Sequence, residues 1–322
     1  MGRRKKGGLL VTGLLLFGVI SAGMGNSAAA RPEEYIAKIE GQPDAGKDEL
    51  SGKEGLIREA EAGGALEQEG IGAAKNTLKS RFPAPKGFKR TEEGEGTLGA
   101  FIRDYPLLPE GSPILLYNGE RKEIQTCHAA VFDMALSNRD LQQCADSVMR
   151  VYGEYYWKNG QYDKIGFHFV NGFFCSYRKW MEGYRVAVSG NQTSWVKKSA
   201  PDSSWEGFEQ YLNTVFAYAG TFSMKGESEA VDIKDMKIGD VFLYGGSPGH
   251  VVMVVDVCEP SSEEAKGKAF LLAQGYMPAQ QFHVLKNPAH EDDPWYYTSE
   301  LTWPFETPEY IFQEGAFRRM AY

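Results

Sequence analysis

The chain has 322 residues, with 35 basic and 43 acidic side chains and a net charge of −8 at pH 7. Residues 1–30 hold four basic residues and no acidic one, so the rest of the chain has a net charge of −12. A balance this acidic lacks the basic footprint of a nucleic-acid-binding protein, and we expect no nucleic acid partner. Four cysteines are too few for a disulfide scaffold of this length.

The first 30 residues have the three parts of a secretory signal peptide. Residues 3–6 are basic, residues 9–20 are apolar, and the alanines at 28–30 suit a cleavage site. We therefore predict an exported protein, periplasmic, cell-surface or secreted, that is cleaved near Ala30. The apolar run is shorter than the ~20 residues of a spanning helix, and an uncleaved N-terminal anchor is the alternative. No later segment is apolar enough for membrane insertion of the mature domain.

Residues 31–86 are rich in Glu, Lys, Gly and Ala and contain few large apolar side chains. Such a segment buries too little surface to offset the entropy of the chain, so we predict a flexible acidic tether. Aromatic residues become dense from Gly87 onward. Residues 87–322 are enough to form one core, and we predict a single globular domain there.

The apolar patterns after Gly87 predict the elements in chain order. They are a hairpin over 112–132 that turns at Asn118-Gly119, a helix over 140–157, a strand over 164–170, a helix over 203–224, a hairpin over 239–257, and strands over 268–276, 282–287 and 315–322. Helices followed by a run of antiparallel strands indicate an α+β fold, with a central antiparallel sheet and packed helices.

His250 begins a strand that is apolar on both faces, within the segment GDVFLYGGSPGHVVMVVDV. A histidine at the mouth of a rigid central strand can face a cleft, and a histidine that only hydrogen-bonds at a strand end is the plainer alternative. Cys144 lies early in the first long helix, and Gln274 lies on the strand that follows His250. This order fits a cysteine nucleophile, a histidine base and a polar residue that orients the histidine.

The GD…H hairpin resembles that of the NlpC-type and CHAP cysteine amidases of bacterial cell walls, which have a papain-like core. The resemblance implies that Cys144 attacks an amide of peptidoglycan peptide, that His250 is the base, and that Gln274 orients the ring. A second resemblance covers nearly all of residues 87–322, through LQQCADSVMR, YAGTFSM and AQGYMPAQQFHVLKNP. It is to a secreted bacterial family known only as a domain of unknown function.

Several features of the sequence keep other interpretations open. The 106-residue spacing from Cys144 to His250 is long for those amidases and requires an aromatic-rich insertion. Cys144 also falls on the apolar stripe of its helix, where a core cysteine or a disulfide-bonded cysteine is the alternative. For Gln274, a solvated strand residue is the alternative. Asp256 shares a face with His250 but lies about 20 Å along the strand, so Gln274 is the preferred orienting residue.

The aromatic insertion, residues 167–185, contains Tyr177, Trp180 and Arg185 as a candidate substrate groove. Rings stack on sugars and guanidinium groups grip carboxylates, so cell-wall peptide or saccharide is the expected partner. An aromatic subcore with solvated arginines is the alternative. The cysteines and histidines lack C-x-x-C and H-E-x-x-H spacing, so we expect no metal and no cofactor. A non-catalytic, envelope-associated binding module of the same fold is the alternative to a cysteine amidase or peptidase.

Overall fold

The computed structural model describes residues 76–322 of the chain. The predicted signal peptide and residues 31–75 of the predicted tether lie outside the described residues. The helices are α1 (Leu78–Arg81), α2 (Leu98–Arg103), α3 (Cys144–Lys158), α4 (Tyr177–Met181), α5 (Trp205–Tyr218) and α6 (Thr221–Gly226). The strands are β1 (Phe88–Arg90), β2 (His128–Val131), β3 (Gly166–His168), β4 (Phe174–Ser176), β5 (Tyr184–Ser189), β6 (Gln192–Lys197), β7 (Ser228–Ala230), β8 (Val241–Tyr244), β9 (His250–Pro260), β10 (Ala269–Gln274), β11 (His283–Leu285), β12 (Tyr296–Tyr297), β13 (Phe305–Thr307), β14 (Tyr310–Phe312) and β15 (Phe317–Met320).

A nine-stranded antiparallel sheet forms the centre of the molecule. Its main path runs β2-β11-β10-β9-β8-β15-β7, and β1 and β12 pair with β9 and β10. The first nine residues of β9 are buried, because apolar side chains alternate to both faces of this central strand. The prediction of an α+β fold with a central antiparallel sheet is therefore confirmed. Within residues 76–322, no helix combines the length and the apolar character needed to cross a bilayer.

Helix α3 packs against β9 and carries the core on its buried face. Its start is defined by Asp146, whose Oδ2 accepts the backbone N–H of Gln143 at 3.0 Å. The helix therefore begins at Cys144, four residues later than the apolar pattern predicts. Deeper in the helix, the fully buried Arg150 donates from both terminal nitrogens to Glu209 on α5, at 2.7 Å each. This two-pronged ion pair fixes α3 against α5.

The fold begins before Gly87, the predicted start of the domain. Leu78 on α1 is fully buried, and β1 pairs with the far end of β9. Asp256 on β9 joins this N-terminal part to the sheet: the Nε atoms of Arg90 and Arg103 each lie 2.7 Å from one of its carboxylate oxygens. The predicted boundary at residues 86 and 87 thus lies inside the folded part of the chain.

Candidate functional site

The side chains of His250 and Gln274 meet on the central sheet. His250 is the first residue of β9 and Gln274 is the last residue of the neighbouring strand β10. Because the two strands are antiparallel, both residues lie at the same end of the strand pair. Nε2 of His250 lies 2.7 Å from Oε1 of Gln274, and both side chains are buried. The strands therefore bring together the base and the orienting residue that the sequence singled out.

Glu309, which the sequence did not single out, sets the direction of the Gln274 amide. Its Oε2 accepts a hydrogen bond from Gln274 Nε2 at 2.8 Å, and its Oε1 pairs with Lys122 Nζ at 2.6 Å. An ionised carboxylate only accepts, so the amide nitrogen of Gln274 faces Glu309 and the amide oxygen faces His250. The His250 ring accordingly carries its proton on Nε2, and the lone pair on Nδ1 is available to accept a proton.

Cys144, the first residue of α3, lies beside this pair. The backbone N–H of Val251, the residue after His250, is close enough to the sulfur to lower the pKa of the thiol, as are N–H groups of the first helical turn. The rings of Tyr276 and Tyr310 lie 4.9 Å and 4.8 Å from the His250 ring, between centroids. Both tyrosines also interact electrostatically with Cys144. The cysteine and the histidine therefore share one set of neighbours.

Two glycines permit the close approach of the chain segments around the site. A Cβ atom on Gly275 would lie 2.8 Å from the carbonyl oxygen of Gln143 and would also overlap Ser147 Oγ. A Cβ atom on Gly249 would lie 2.5 Å from the carbonyl oxygen of Tyr244. Both positions are too tight for any side chain. Gly275 thus lets the end of β10 abut the start of α3, and Gly249 lets the β8–β9 turn close next to His250.

Burial dominates the protonation of both reactive groups. It lowers the pKa of His250 to about 4, against the opposing effects of the Gln274 hydrogen bond and of Glu309. Burial and then the charge of Asp146 raise the pKa of the Cys144 thiol to about 12. At neutral pH the site therefore holds a neutral thiol and a neutral imidazole rather than an ion pair.

The four cysteines, including Cys144, are free and buried. A disulfide at Cys144, one alternative from the sequence, is therefore wrong. Only 7% of the Cys144 side chain is exposed, as expected both for a core cysteine and for a nucleophile at the bottom of a cleft.

Tyr177, Trp180 and Arg185 pack together in another part of the core. The Tyr177 ring lies 5.3 Å from Phe208 and 5.1 Å from Tyr211, and Trp180 lies 5.9 Å from Tyr211. Tyr177 is fully buried and Trp180 is 4% exposed, so neither ring has a free face for a sugar. The Arg185 guanidinium stacks 4.1 Å from the Trp180 ring. These residues form the aromatic subcore that the sequence left open as the alternative to a groove.

A second cluster of polar side chains lies next to the Gln274 amide nitrogen; two of its residues are buried and one is partly buried. Cys127 precedes β2, His283 opens β11 and Glu309 lies in the turn between β13 and β14. Their potential ligand atoms lie within 4.8 Å of one another. Motif spacing could not reveal this cluster, because the three residues come from segments that are far apart in the sequence. The pairing of β2 with β11 brings Cys127 close to His283, and the turn between β13 and β14 brings Glu309 to both.

A cavity of about 570 Å³ lies elsewhere, between α1, α2 and the end of α3. Its lining includes Lys79, Arg103 and Lys158, and among the described residues that line it there is no cysteine and no histidine. We place the candidate site at Cys144 and His250 instead, because within residues 76–322 the candidate nucleophile, base and orienting residue of the sequence analysis lie near one another there.

Comparison with known proteins identifies the family of this chain but does not indicate an activity. Residues 78–319, most of the chain, match the family described as Domain of unknown function (4846). The chain belongs to this family. The match confirms the resemblance to a domain of unknown function and does not extend to NlpC-type amidases. No curated protein and no solved structure matches the chain.

Proposed function

We propose that this chain is an exported, cysteine-dependent amidohydrolase or peptidase with an NlpC-type, papain-like core. Cys144 is the nucleophile, His250 is the base and then the acid, and Gln274 positions the ring. The observation that carries the proposal is the 2.7 Å contact between His250 Nε2 and Gln274 Oε1. It leaves Nδ1 unprotonated on the ring that neighbours a cysteine at a helix N-terminus.

The proposed reaction follows from these protonation states. The Cys144 sulfur attacks the amide carbon as its proton passes to Nδ1 of His250, and N–H groups at the start of α3 stabilise the oxyanion. The C–N bond then breaks, and the amine leaves with the proton from His250. Water attacks the thioester with His250 again as the base, which releases the acid and returns the proton to the thiolate. A neutral imidazole suits the role of a base in both halves.

The proposed substrate is an amide of cell-wall peptide or a related peptide. The expected export and the resemblance to cell-wall amidases support this class. Two exposed apolar side chains border the site: Tyr244 is the partner of His250 in the β8–β9 register, and Met277 follows Tyr276. They favour an apolar group beside the scissile amide.

Substitution of the nucleophile tests the proposal. Cys144→Ala should abolish hydrolysis of muropeptides, measured by mass spectrometry of the products, and should remove the site at which iodoacetamide labels the active protein. Cys258→Ser is the matched control, because Cys258 is also free and buried but lies at the other end of β9. Hydrolysis at the wild-type rate by a folded Cys144→Ala chain would sink the proposal.

A non-catalytic binding module is the second candidate, and the low exposure and raised pKa of the Cys144 thiol favour it. Such a module would bind muropeptides without turnover, and Cys144→Ala would leave the affinity unchanged. Calorimetric titration alongside the product assay separates the two functions: binding without product in the wild type indicates the module.

A further inference from the structure

The geometry of Cys127, His283 and Glu309 suits a metal ion. Their potential ligand atoms lie within 4.8 Å of one another, and His283 Nε2 lies 3.9 Å from Glu309 Oε2. Two such ligands on one tetrahedral Zn²⁺ lie roughly 3.4 Å apart, given bond lengths of about 2.1 Å. The His283 and Glu309 atoms would therefore have to approach each other by about 0.5 Å to reach that separation.

The hydrogen bond on the other side of His283 orients its ring for this role. Nδ1 lies 2.9 Å from the carbonyl oxygen of Gln281, which can only accept, so the ring proton is on Nδ1. The lone pair of Nε2 is then free to accept, and its polar neighbours are Gln274 Nε2 at 3.4 Å, which an ion would displace, and Glu309 Oε2 at 3.9 Å. Metal-binding histidines characteristically donate their second N–H to a carbonyl or carboxylate in this way.

His128 adds an independent sign that a group is bound nearby. Its Nε2 lies 3.0 Å from the carbonyl oxygen of Ser112, so Nε2 carries the proton and Nδ1 has a free lone pair. Nδ1 is buried and has no hydrogen-bond partner within residues 76–322. Buried polar atoms are seldom left unpaired without a ligand or an ordered water to satisfy them. The ring lies 6.2 Å from that of His283, between centroids.

We propose that Cys127, His283 and Glu309 bind a divalent transition-metal ion of the Zn²⁺ class, with His128 or water as a fourth ligand. Thiolate, imidazole and carboxylate together are the donor set that Zn²⁺ prefers over Ca²⁺ and Mg²⁺. On binding, the S–H bond of Cys127 breaks, its proton passes to solvent and an S–metal bond forms, with no change of oxidation state. The proposed metal site shares Glu309 with the candidate catalytic site, where the Glu309 carboxylate holds the Gln274 amide, but ion binding there does not depend on the reaction proposed at Cys144.

Lys122 gives the proposed site a distinctive property. Its ammonium group lies 2.6 Å from Glu309 Oε1, the oxygen that is not directed at His283. A thiolate, a carboxylate, a divalent ion and this ammonium group sum to one positive charge in a buried place. Lys122 therefore opposes binding, and its removal should raise the affinity for the ion.

Cobalt titration of the untagged, metal-stripped protein tests the proposal. One Co²⁺ per chain should produce a thiolate-to-cobalt absorption band in the near ultraviolet, and Zn²⁺ should displace it. Cys127→Ser should lose the band, whereas the matched control Cys258→Ser should retain it. Lys122→Met should bind Zn²⁺ about tenfold more tightly than the wild type, measured by competition with a chelating dye.

Three results would each overturn the assignment. They are a wild-type protein without the band at one Co²⁺ per chain, a band that persists in Cys127→Ser, and a Zn²⁺ affinity that is unchanged or weaker in Lys122→Met. Circular dichroism checks that each variant is folded. If Cys127→Ser does not fold, His283→Gln replaces it, and its d–d spectrum must then differ from that of the wild type. Activity is not measured, so a failure of the proposed hydrolase does not affect this test.

Discussion

His250 Nε2 and Gln274 Oε1 lie 2.7 Å apart across two neighbouring antiparallel strands. Both residues belong to regular strands of the central sheet and are buried, so packing rather than a loop determines their geometry. Glu309 holds the far end of the Gln274 amide. His250, Gln274 and Glu309 thus form a hydrogen-bonded series beside an otherwise apolar core. Each side chain in the series limits the orientation of the next.

Replacing the orienting residue should impair catalysis more than binding. In Gln274→Leu the His250 ring loses the acceptor that fixes its proton on Nε2, and we expect kcat to fall on the order of 10- to 100-fold with little change in KM. Nitrogen NMR of the His250 ring should show a mixture of tautomers. Gln313→Leu, at an exposed position, is the control. A single Nε2–H tautomer in the folded Gln274→Leu variant would contradict this account.

Acidification should destabilise the fold through two buried histidines. Burial lowers the pKa of His250 to about 4 and that of His283 to about 3, from an ordinary value of 6.5. Between the lowered pKa of the folded state and the ordinary pKa of 6.5, the unfolded chain binds more protons than the folded one. The free energy of unfolding is therefore highest above pH 6.5 and falls as the pH drops toward 4. Each histidine contributes on the order of 3 kcal/mol to this loss.

Urea unfolding at pH 7, 5 and 4 measures the effect. His283→Gln should flatten the pH dependence, whereas Gln313→Leu, at an exposed position without a titratable group, should leave it unchanged. An equal slope in the wild type and in His283→Gln would show that the histidine is not the source.

Removing Asp256 should weaken the fold without altering the site. Asp256→Ala leaves Arg90 and Arg103 without their shared carboxylate at the junction of the N-terminal segment and β9. We expect the free energy of unfolding to fall by about 3–5 kcal/mol, as for other broken buried ion pairs. Asp163→Ala, which breaks a solvent-exposed pair with Arg178, should cost much less, because water screens that pair. Chemical denaturation of both variants checks the difference, and equal losses would contradict it.

A methyl group at Gly275 should displace the start of α3. Gly275→Ala places a Cβ atom against Gln143 and Ser147, and we expect a loss of about 1–3 kcal/mol with slower hydrolysis at Cys144. Gly226→Ala is the control, because its Cβ atom would meet nothing within 4 Å. Thermal unfolding and the muropeptide assay are measured for both variants. If Gly275→Ala has wild-type stability, the close approach does not constrain the site.

Truncation of Trp180 should act on stability rather than on a ligand. Trp180→Ala leaves a cavity beside Tyr211, and we expect a cost of about 3–5 kcal/mol. Phe174→Ala, at an exposed ring of the same insertion, should cost much less. Muropeptide affinity, corrected for the folded fraction, should be the same as in the wild type. A specific loss of affinity in folded Trp180→Ala protein would reassign the insertion as a binding surface.

The strands around the site could be predicted because they follow simple patterns. The run from His250 is apolar on both faces, which identifies a buried central strand, and Gln274 ends the next apolar run before Gly275. The start of α3 was harder to predict. The Asp146 side chain and the close approach of Gly275 set it at Cys144, and the apolar periodicity does not encode either contact. The second predicted helix breaks into α5 and α6 at Ala219 and Gly220, where the chain is extended.

The aromatic insertion shows what residue composition cannot predict. Tyr177 and Trp180 have the same residue types whether they line a groove or fill a core, and only the packing of α4 against α5 decides between these roles. Glu309 shows what local sequence context cannot predict. Nothing near it in the sequence distinguishes it from the other acidic residues, and it becomes important only where β13 and β14 place it between Lys122 and Gln274.

By itself, the sequence determined the α+β class, the central strand that begins at His250 and the order of cysteine, histidine and glutamine, because periodicity and residue order are local properties of the chain. The tertiary structure decided which of these side chains touch. It joined His250 to Gln274, set the ring tautomer through Glu309, placed Cys144 beside Val251 and gathered Cys127 and His283 into a second cluster. Those contacts depend on strand pairing between distant segments, which no local pattern encodes.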